Sequence, residues 1–192
     1  MKALRKIHAS ERKNVTKSQP LLKKVDVYTL RIMKEWNEWE EIPGVTIKFP
    51  YGVDKTHIFD VTIVPHSGYW KGGKFCFHFE IPTDYPMSPP YVTCQNRPIY
   101  HPNIDVKGNV CLNILRPDWT AVNTFGNVIY GLILLFESPN FTDPLPSGVF
   151  PKSMEPHEVK ARDENKFKNL VNMTMKGGEV DGLGDILFVC VL

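Results

Sequence analysis

The chain has 192 residues, 42% hydrophobic and 11% aromatic, enough for one domain with a real core. Its net charge of +2 gives no case for a nucleic-acid binder, and none of its four cysteines forms a CxxC pair of the kind that holds a metal. No charged-then-apolar leader opens the chain and the apolar end, Ile186 to Leu192, is too short to span a bilayer, so reduced thiols and a cytoplasmic or nuclear setting are expected.

Residues 1–22 read as a basic, flexible tail. Within the first twenty, Lys2, Arg5, Lys6, Arg12, Lys13 and Lys17 stand against Glu11 alone, a net of +5. That composition suits a solvated lead-in and equally a docking tail for an acidic partner. A core is expected over 23–176. It opens on a helix from about Lys24 to Glu40, where Val25, Tyr28, Ile32, Trp36 and Trp39 form one apolar stripe and Pro43-Gly44 ends the run.

Four strands should follow: Val45–Phe49, Thr56–Val64, Lys74–Ile81 and Tyr91–Cys94. The third is the clearest, since Phe75, Phe77, Phe79 and Ile81 alternate with Cys76, His78 and Glu80. Pro82, Pro86, Pro89 and Pro90 make the stretch before the fourth a stiff loop, because proline donates no ladder hydrogen bond.

Asn123 or Thr124 can cap a second helix carrying Val128, Ile129, Leu132, Ile133, Leu135 and Phe136. It reads as apolar almost all round and therefore central. Gly126 and Gly131 each weaken it by about 1 kcal/mol relative to alanine, so packing must hold it. Prolines 144, 146, 151 and 156 interrupt the next stretch. One amphipathic helix is then expected over about Glu158–Lys176, with Val159, Phe167, Leu170, Val171 and Thr174 on its apolar side. For the C-terminal tail, 177–192, packing on the body and disorder both remain open. Strands and helices are segregated, which argues for an α+β fold with an antiparallel meander.

The stretch with the most chemistry is Tyr100–Leu115, YHPNIDVKGNVCLNIL. Pro102 fixes a backbone angle, and Lys107-Gly108-Asn109 reads as a turn that folds the segment back on itself. An amide side chain, Asn103, is thereby brought toward a thiol, Cys111. A thiol beside a hydrogen-bond donor suits acyl transfer, in which an oxyanion forms and must be stabilised.

With PTDYPMSPP at 82–90, IYHPN at 99–103, NVCLNILRPDW at 109–119 and SPNFTDPL at 138–145, the chain resembles the ubiquitin-conjugating enzymes from about Leu30 to Lys176. HPNID, GNVCLNILR, VIYGL and the Met175–Gly178 run resemble the neddylation branch of that family, which carries a Nedd-type ubiquitin-like modifier.

The resemblance implies an α+β fold: an N-terminal helix, a four-stranded antiparallel meander sheet, a central helix and a C-terminal helix. It implies that Cys111 takes the modifier's C-terminal carbonyl from an activating enzyme as a thioester and passes it to a substrate lysine. No cofactor is then needed, because the activating enzyme consumes the ATP. Ubiquitin itself as the modifier, and a non-catalytic modifier-binding variant of the fold, are the alternatives. A cysteine hydrolase pairing Cys111 with His101 is a third reading, but Cys111 follows a turn in an extended stretch, without the helix start common to such nucleophiles.

The remaining roles also follow from the resemblance. Asn103 either donates to the oxyanion or braces the loop around Cys111. Asp143 orients the incoming amine and accepts its proton. His101 and Pro102 support the loop, and Asn113 helps line the cleft. The activating enzyme and the ligase, expected to be a cullin-associated RING type, would meet the first helix and the loops 85–90 and 118–122. Met87, Pro89, Thr120 and Ala121 are the contact candidates there, and Leu4 and Ile7 are anchors in the tail. Neither nucleic acid nor membrane is an expected partner.

Overall fold

The computed structural model describes residues 26–192, so the basic tail with Leu4 and Ile7 lies outside the described residues. Helix α1, Val27–Glu38, starts where the Asp26 carboxylate accepts the Thr29 amide at 2.7 Å, which satisfies a helix-end donor. It buries Ile32, Glu35 and Trp36. The Trp36 ring meets Phe49, Phe59 and Phe125 at 5.1, 4.8 and 4.5 Å, and its indole N–H donates to the Thr56 carbonyl.

Strands β1 (Val45–Lys48), β2 (Ile58–Ile63), β3 (Phe75–Glu80) and β4 (Tyr91–Cys94) form one antiparallel sheet in the order β1-β2-β3-β4. The expected alternation holds: Phe59, Val61 and Ile63 lie opposite Phe79, Phe77 and Phe75, all buried on one face.

Helix α2, Phe125–Glu137, lies across that face. Phe125 packs on Phe59 at its start, and Phe136 stacks on Phe75 at 4.2 Å near its end. Thr124 is its cap. The Thr124 hydroxyl accepts the Asn127 amide while the Asn127 side chain accepts the Thr124 amide, a reciprocal capping box.

The structure corrects two readings of the helices. Helix α2 is central but not covered all round, since its apolar residues Tyr130 and Leu134 are 54% and 59% exposed along one edge. The single C-terminal helix is two, α3 (Pro156–Arg162) and α4 (Glu164–Met175). Asp163 divides them. Its backbone is extended, and its carboxylate accepts the amides of Asn165 and Lys166, so it caps α4 where α3 stops.

The C-terminal stretch packs on the body. Short strands β5 (Gly178–Glu179) and β6 (Leu187–Phe188) pair, and Val180, Leu183, Phe188 and Val191 are buried. Val191 exchanges main-chain hydrogen bonds with Lys74 and Met175.

A buried polar link joins three elements. Glu35 accepts the Arg31 side chain at 2.5 Å, the Tyr85 hydroxyl at 2.6 Å and the Phe125 amide at 2.9 Å. Arg31 also donates to the Asn123 carbonyl. Helix α1, the proline loop and the start of α2 are thereby tied at one carboxylate, which is paired as a buried charge requires.

Phe136 sits where α2, the sheet and the loop after β4 converge. Phe136→Ala should cost about 3–5 kcal/mol of unfolding free energy through lost burial and the cavity left behind. Urea unfolding measures this, and a loss below about 1 kcal/mol would contradict the packing described.

Candidate active site

After β4 the chain forms no regular element until a 3-10 turn at Asn113–Leu115. Isolated bridges shape it instead, pairing Ile104 with His101 and with Val110, and Thr93 with Asn109. The expected turn is present, and Asp105 organises it. One Asp105 oxygen accepts the amides of Lys107 and Asn109, and the other accepts the Asn109 side chain. Gly108 sits at φ 86°, and a Cβ there would lie 2.3 Å from the Cys94 carbonyl oxygen, so only glycine fits.

His101 is buried between Trp70 and Phe136, with ring centroids at 4.2 and 5.2 Å. Its Nε2–H donates to the Leu135 carbonyl at 3.1 Å, and its Nδ1 accepts the Asn103 amide at 2.9 Å. These partners require the neutral tautomer with the proton on Nε2. Burial holds the imidazole pKa down at about 3. Both nitrogens are occupied, so His101 is a brace for the loop and is not placed to deprotonate Cys111.

Asn103 is also buried. Its side-chain oxygen accepts the Asn140 amide at 2.9 Å, and its side-chain nitrogen donates to the carbonyls of Asn140 at 2.8 Å and Asp143 at 3.4 Å. The Pro102 carbonyl accepts the Leu145 amide at 2.7 Å. Of the two roles left open for Asn103, bracing is the one its contacts display. Asn140 extends the brace, its own side chain accepting the amides of Thr142 and Asp143 and the Thr142 hydroxyl.

The Cys111 amide donates to the Asn103 carbonyl at 2.8 Å, which anchors the thiol's backbone to the same brace. The thiol is half-exposed and opens on a cleft of about 620 Å³. Asn113, Asp118, Asn127, Tyr130 and Leu134 line it with Cys111. Asn113 is thus on the same cleft as the thiol. Asp143 is joined to Asn103 through its main chain, while its exposed carboxylate lies outside the residues lining the cleft.

The other cysteines sit elsewhere. Cys94 is buried in the core, and burial pushes its thiol up to about 12. Cys76 is partly buried on the outer face of β3, and burial raises its pKa. Cys190 is exposed near the chain end. Among the described residues no three His, Cys, Asp or Glu side chains gather as a metal site needs.

Met87 is 73% exposed and Thr120 is exposed, whereas Pro89 and Ala121 are half-buried. Their two loops meet where the Trp119 indole donates to the Pro86 carbonyl and its ring packs on Tyr85.

Asn140 and the Arg31–Glu35–Tyr85 link escaped the sequence reading. Asn140 lies inside the SPNFTDPL motif, but its link to Asn103 is carried by its main-chain groups, which composition does not reveal.

Comparison with known proteins shows the family. The family model for ubiquitin-conjugating enzymes matches residues 31–172. A NEDD8-conjugating enzyme, ubc12 of Schizosaccharomyces pombe, is 38% identical over 180 residues, covering 94% of this chain and 93% of that protein. The NEDD8-conjugating enzyme Ubc12 of Arabidopsis thaliana is 41% identical over 170 residues, 87% of this chain and 86% of that protein. The solved structure of S. cerevisiae Ubc12 superposes with a TM-score of 0.75 at 30% identity, covering 99% of this chain and 95% of that one.

The depressed pKa of His101 has a thermodynamic signature. Below the unfolded value of about 6.5 the unfolded chain binds a proton that the folded one refuses until about pH 3. Stability attributable to this group is complete above pH 6.5 and should fall by about 1.4 kcal/mol per pH unit below it. Unfolding free energies at pH 6.5 and 5.5 should drop further in the wild type than in His101→Gln, and equal drops would contradict a buried neutral imidazole.

Proposed function

The chain belongs to the ubiquitin-conjugating enzyme family, and from that premise we propose that it carries a Nedd8-type modifier on Cys111 and delivers it to lysines. As a member of the family it is a thioester-forming acyl transferase, working between an activating enzyme and a substrate protein. The observation that carries the site assignment is the placement of Cys111, a half-exposed thiol at the mouth of a cleft, held through its own amide.

The chemistry follows in two steps. The Cys111 thiolate attacks the carbonyl carbon of the modifier's thioester on the activating enzyme, and that enzyme's thiolate leaves. A substrate lysine, as the free amine, then attacks the new thioester. The tetrahedral intermediate collapses to an isopeptide bond and expels the Cys111 thiolate, which is a good leaving group as well as a good nucleophile. The amine's proton needs an acceptor, and Asp143 is our candidate. Its exposed carboxylate stands on the loop that Asn103 braces. Asn103 acts by fixing the 140–143 segment beside the thiol, and an oxyanion contact would require its amide to exchange partners.

The modifier assignment rests on the relatives named above, all NEDD8-conjugating enzymes or Ubc12. The activating enzyme would be met through the basic tail with Leu4 and Ile7, and a RING-type, cullin-associated ligase through Met87, Pro89, Thr120 and Ala121. Exposed Met87 and Val122 offer apolar contacts there. Methionine fills a partner pocket less rigidly than an aromatic ring. Four free thiols suit a reducing compartment such as the cytosol or nucleus.

Incubation with ATP, modifier and the matching activating enzyme should yield a thiol-sensitive adduct on a non-reducing gel. Cys111→Ala should abolish it. An adduct on Cys111→Ala would refute the site, and equal or better charging with ubiquitin and its own activating enzyme would refute the choice of modifier.

A further inference from the structure

Cys111 is anchored on one side by its amide bond to Asn103. The next residue supplies a second anchor. Leu112 is extended, leads into the 3-10 turn at Asn113–Leu115, and directs its side chain onto helix α2 at Gly131. A Cβ at Gly131 would lie 2.9 Å from the Leu112 Cδ2, 3.4 Å from Cδ1 and 3.5 Å from Cγ. Real Cβ atoms do not come as close as the 2.9 Å to Cδ2, so any larger residue at 131 must turn or shift the Leu112 side chain, whose whole branched end lies against the notch. Glycine is also an unfavourable choice inside a helix, and Gly131 stands mid-helix between the buried Ile129 and Leu132. It does not adopt a positive φ, so backbone freedom does not account for it. What remains is the space it leaves.

We propose that Gly131 is a positioning residue for the reaction: the notch it leaves in α2 seats Leu112 and thereby sets the position of the Cys111 thiol at the cleft. This rests on Cys111 being the acceptor thiol, and it adds a requirement on the floor beneath it. The loop bearing the thiol is then mounted at two points. Main-chain hydrogen bonding holds it toward Asn103, and side-chain packing holds it toward α2. The same helix supplies the Leu135 carbonyl that holds His101, so both mounts refer the thiol to one rigid element.

The test reads Cys111 without any partner protein. Iodoacetamide labelling of the full chain, resolved by peptide mass, gives the Cys111 rate relative to Cys190, which is exposed and lies against Gly177 in the C-terminal stretch. Gly131→Ala should change that ratio at least threefold, with the melting temperature held or raised, and slow lysine discharge of the charged enzyme at least tenfold. Adding Leu112→Val, which removes both δ carbons, should restore the ratio and the discharge rate toward wild type. Leu112→Ala alone, which empties the notch from the other side, should also shift the ratio. An unchanged ratio in Gly131→Ala overturns the proposal, and so does slowed discharge with an unchanged ratio, which would assign the glycine to modifier docking. If Gly131→Ala does not fold, an unchanged ratio in Leu112→Ala overturns it. Failure of the wild type to form an adduct would instead refute the conjugating function and leave the labelling result standing.

Discussion

The Asn103 side-chain amide joins two stretches of chain that no helix or sheet joins. It is buried, and both its oxygen and its nitrogen bond the main chain of Asn140, 37 residues away. Each such bond is worth only about 0.5–1.5 kcal/mol net, yet a buried amide left unpaired costs about 1–3 kcal/mol. The contact therefore discriminates strongly between the right and wrong arrangement of the two loops. The thiol is tied to the same residue by its own amide, so its place relative to the 140–143 segment depends on this contact.

The brace is in turn built on the core. Phenylalanines of β2 and β3 pack on Phe125 and Phe136, which fixes α2 across the sheet. The Leu135 carbonyl near the end of α2 receives the His101 ring, and His101 receives the Asn103 amide. A chain of contacts thus runs from aromatic packing through one helix carbonyl and one neutral imidazole to the loop that bears Cys111. Outside this chain, Tyr69 and Phe167 pack on Phe141 at near-perpendicular angles, and Lys160 lies 5.8 Å from the Phe141 ring. The loop opposite Cys111 is thereby held from its outer side as well. Irregular backbone can serve as an active site because every segment of it is pinned to something regular.

Much of this was legible from the residues. The alternation in Phe75–Ile81, the Thr124 cap and the proline loop are local signals, and each element formed close to where its pattern lay. The family's motifs pointed to Cys111, Asn103 and Asn113 together. What escaped is non-local or carried by the main chain. The clasp between Asn103 and Asn140 uses backbone groups that every residue has. Tyr130 and Leu134 lie exposed on a helix that reads as apolar almost all round, because hydropathy reports side-chain character and is blind to whether a partner covers it. Asp163 splits a helix with a favourable apolar period because its carboxylate offers backbone amides a competing partner. The apolar end gave no period to read, since its buried residues Val180, Leu183, Phe188 and Val191 are spaced by turns.

Amide hydrogen exchange at Asn140 tests the central claim, that the Asn103 side chain holds the loop opposite the thiol. In Asn103→Ala the Asn140 amide should lose at least tenfold of its protection while the amides of β2 and β3 keep theirs. Unchanged protection at Asn140 would contradict it.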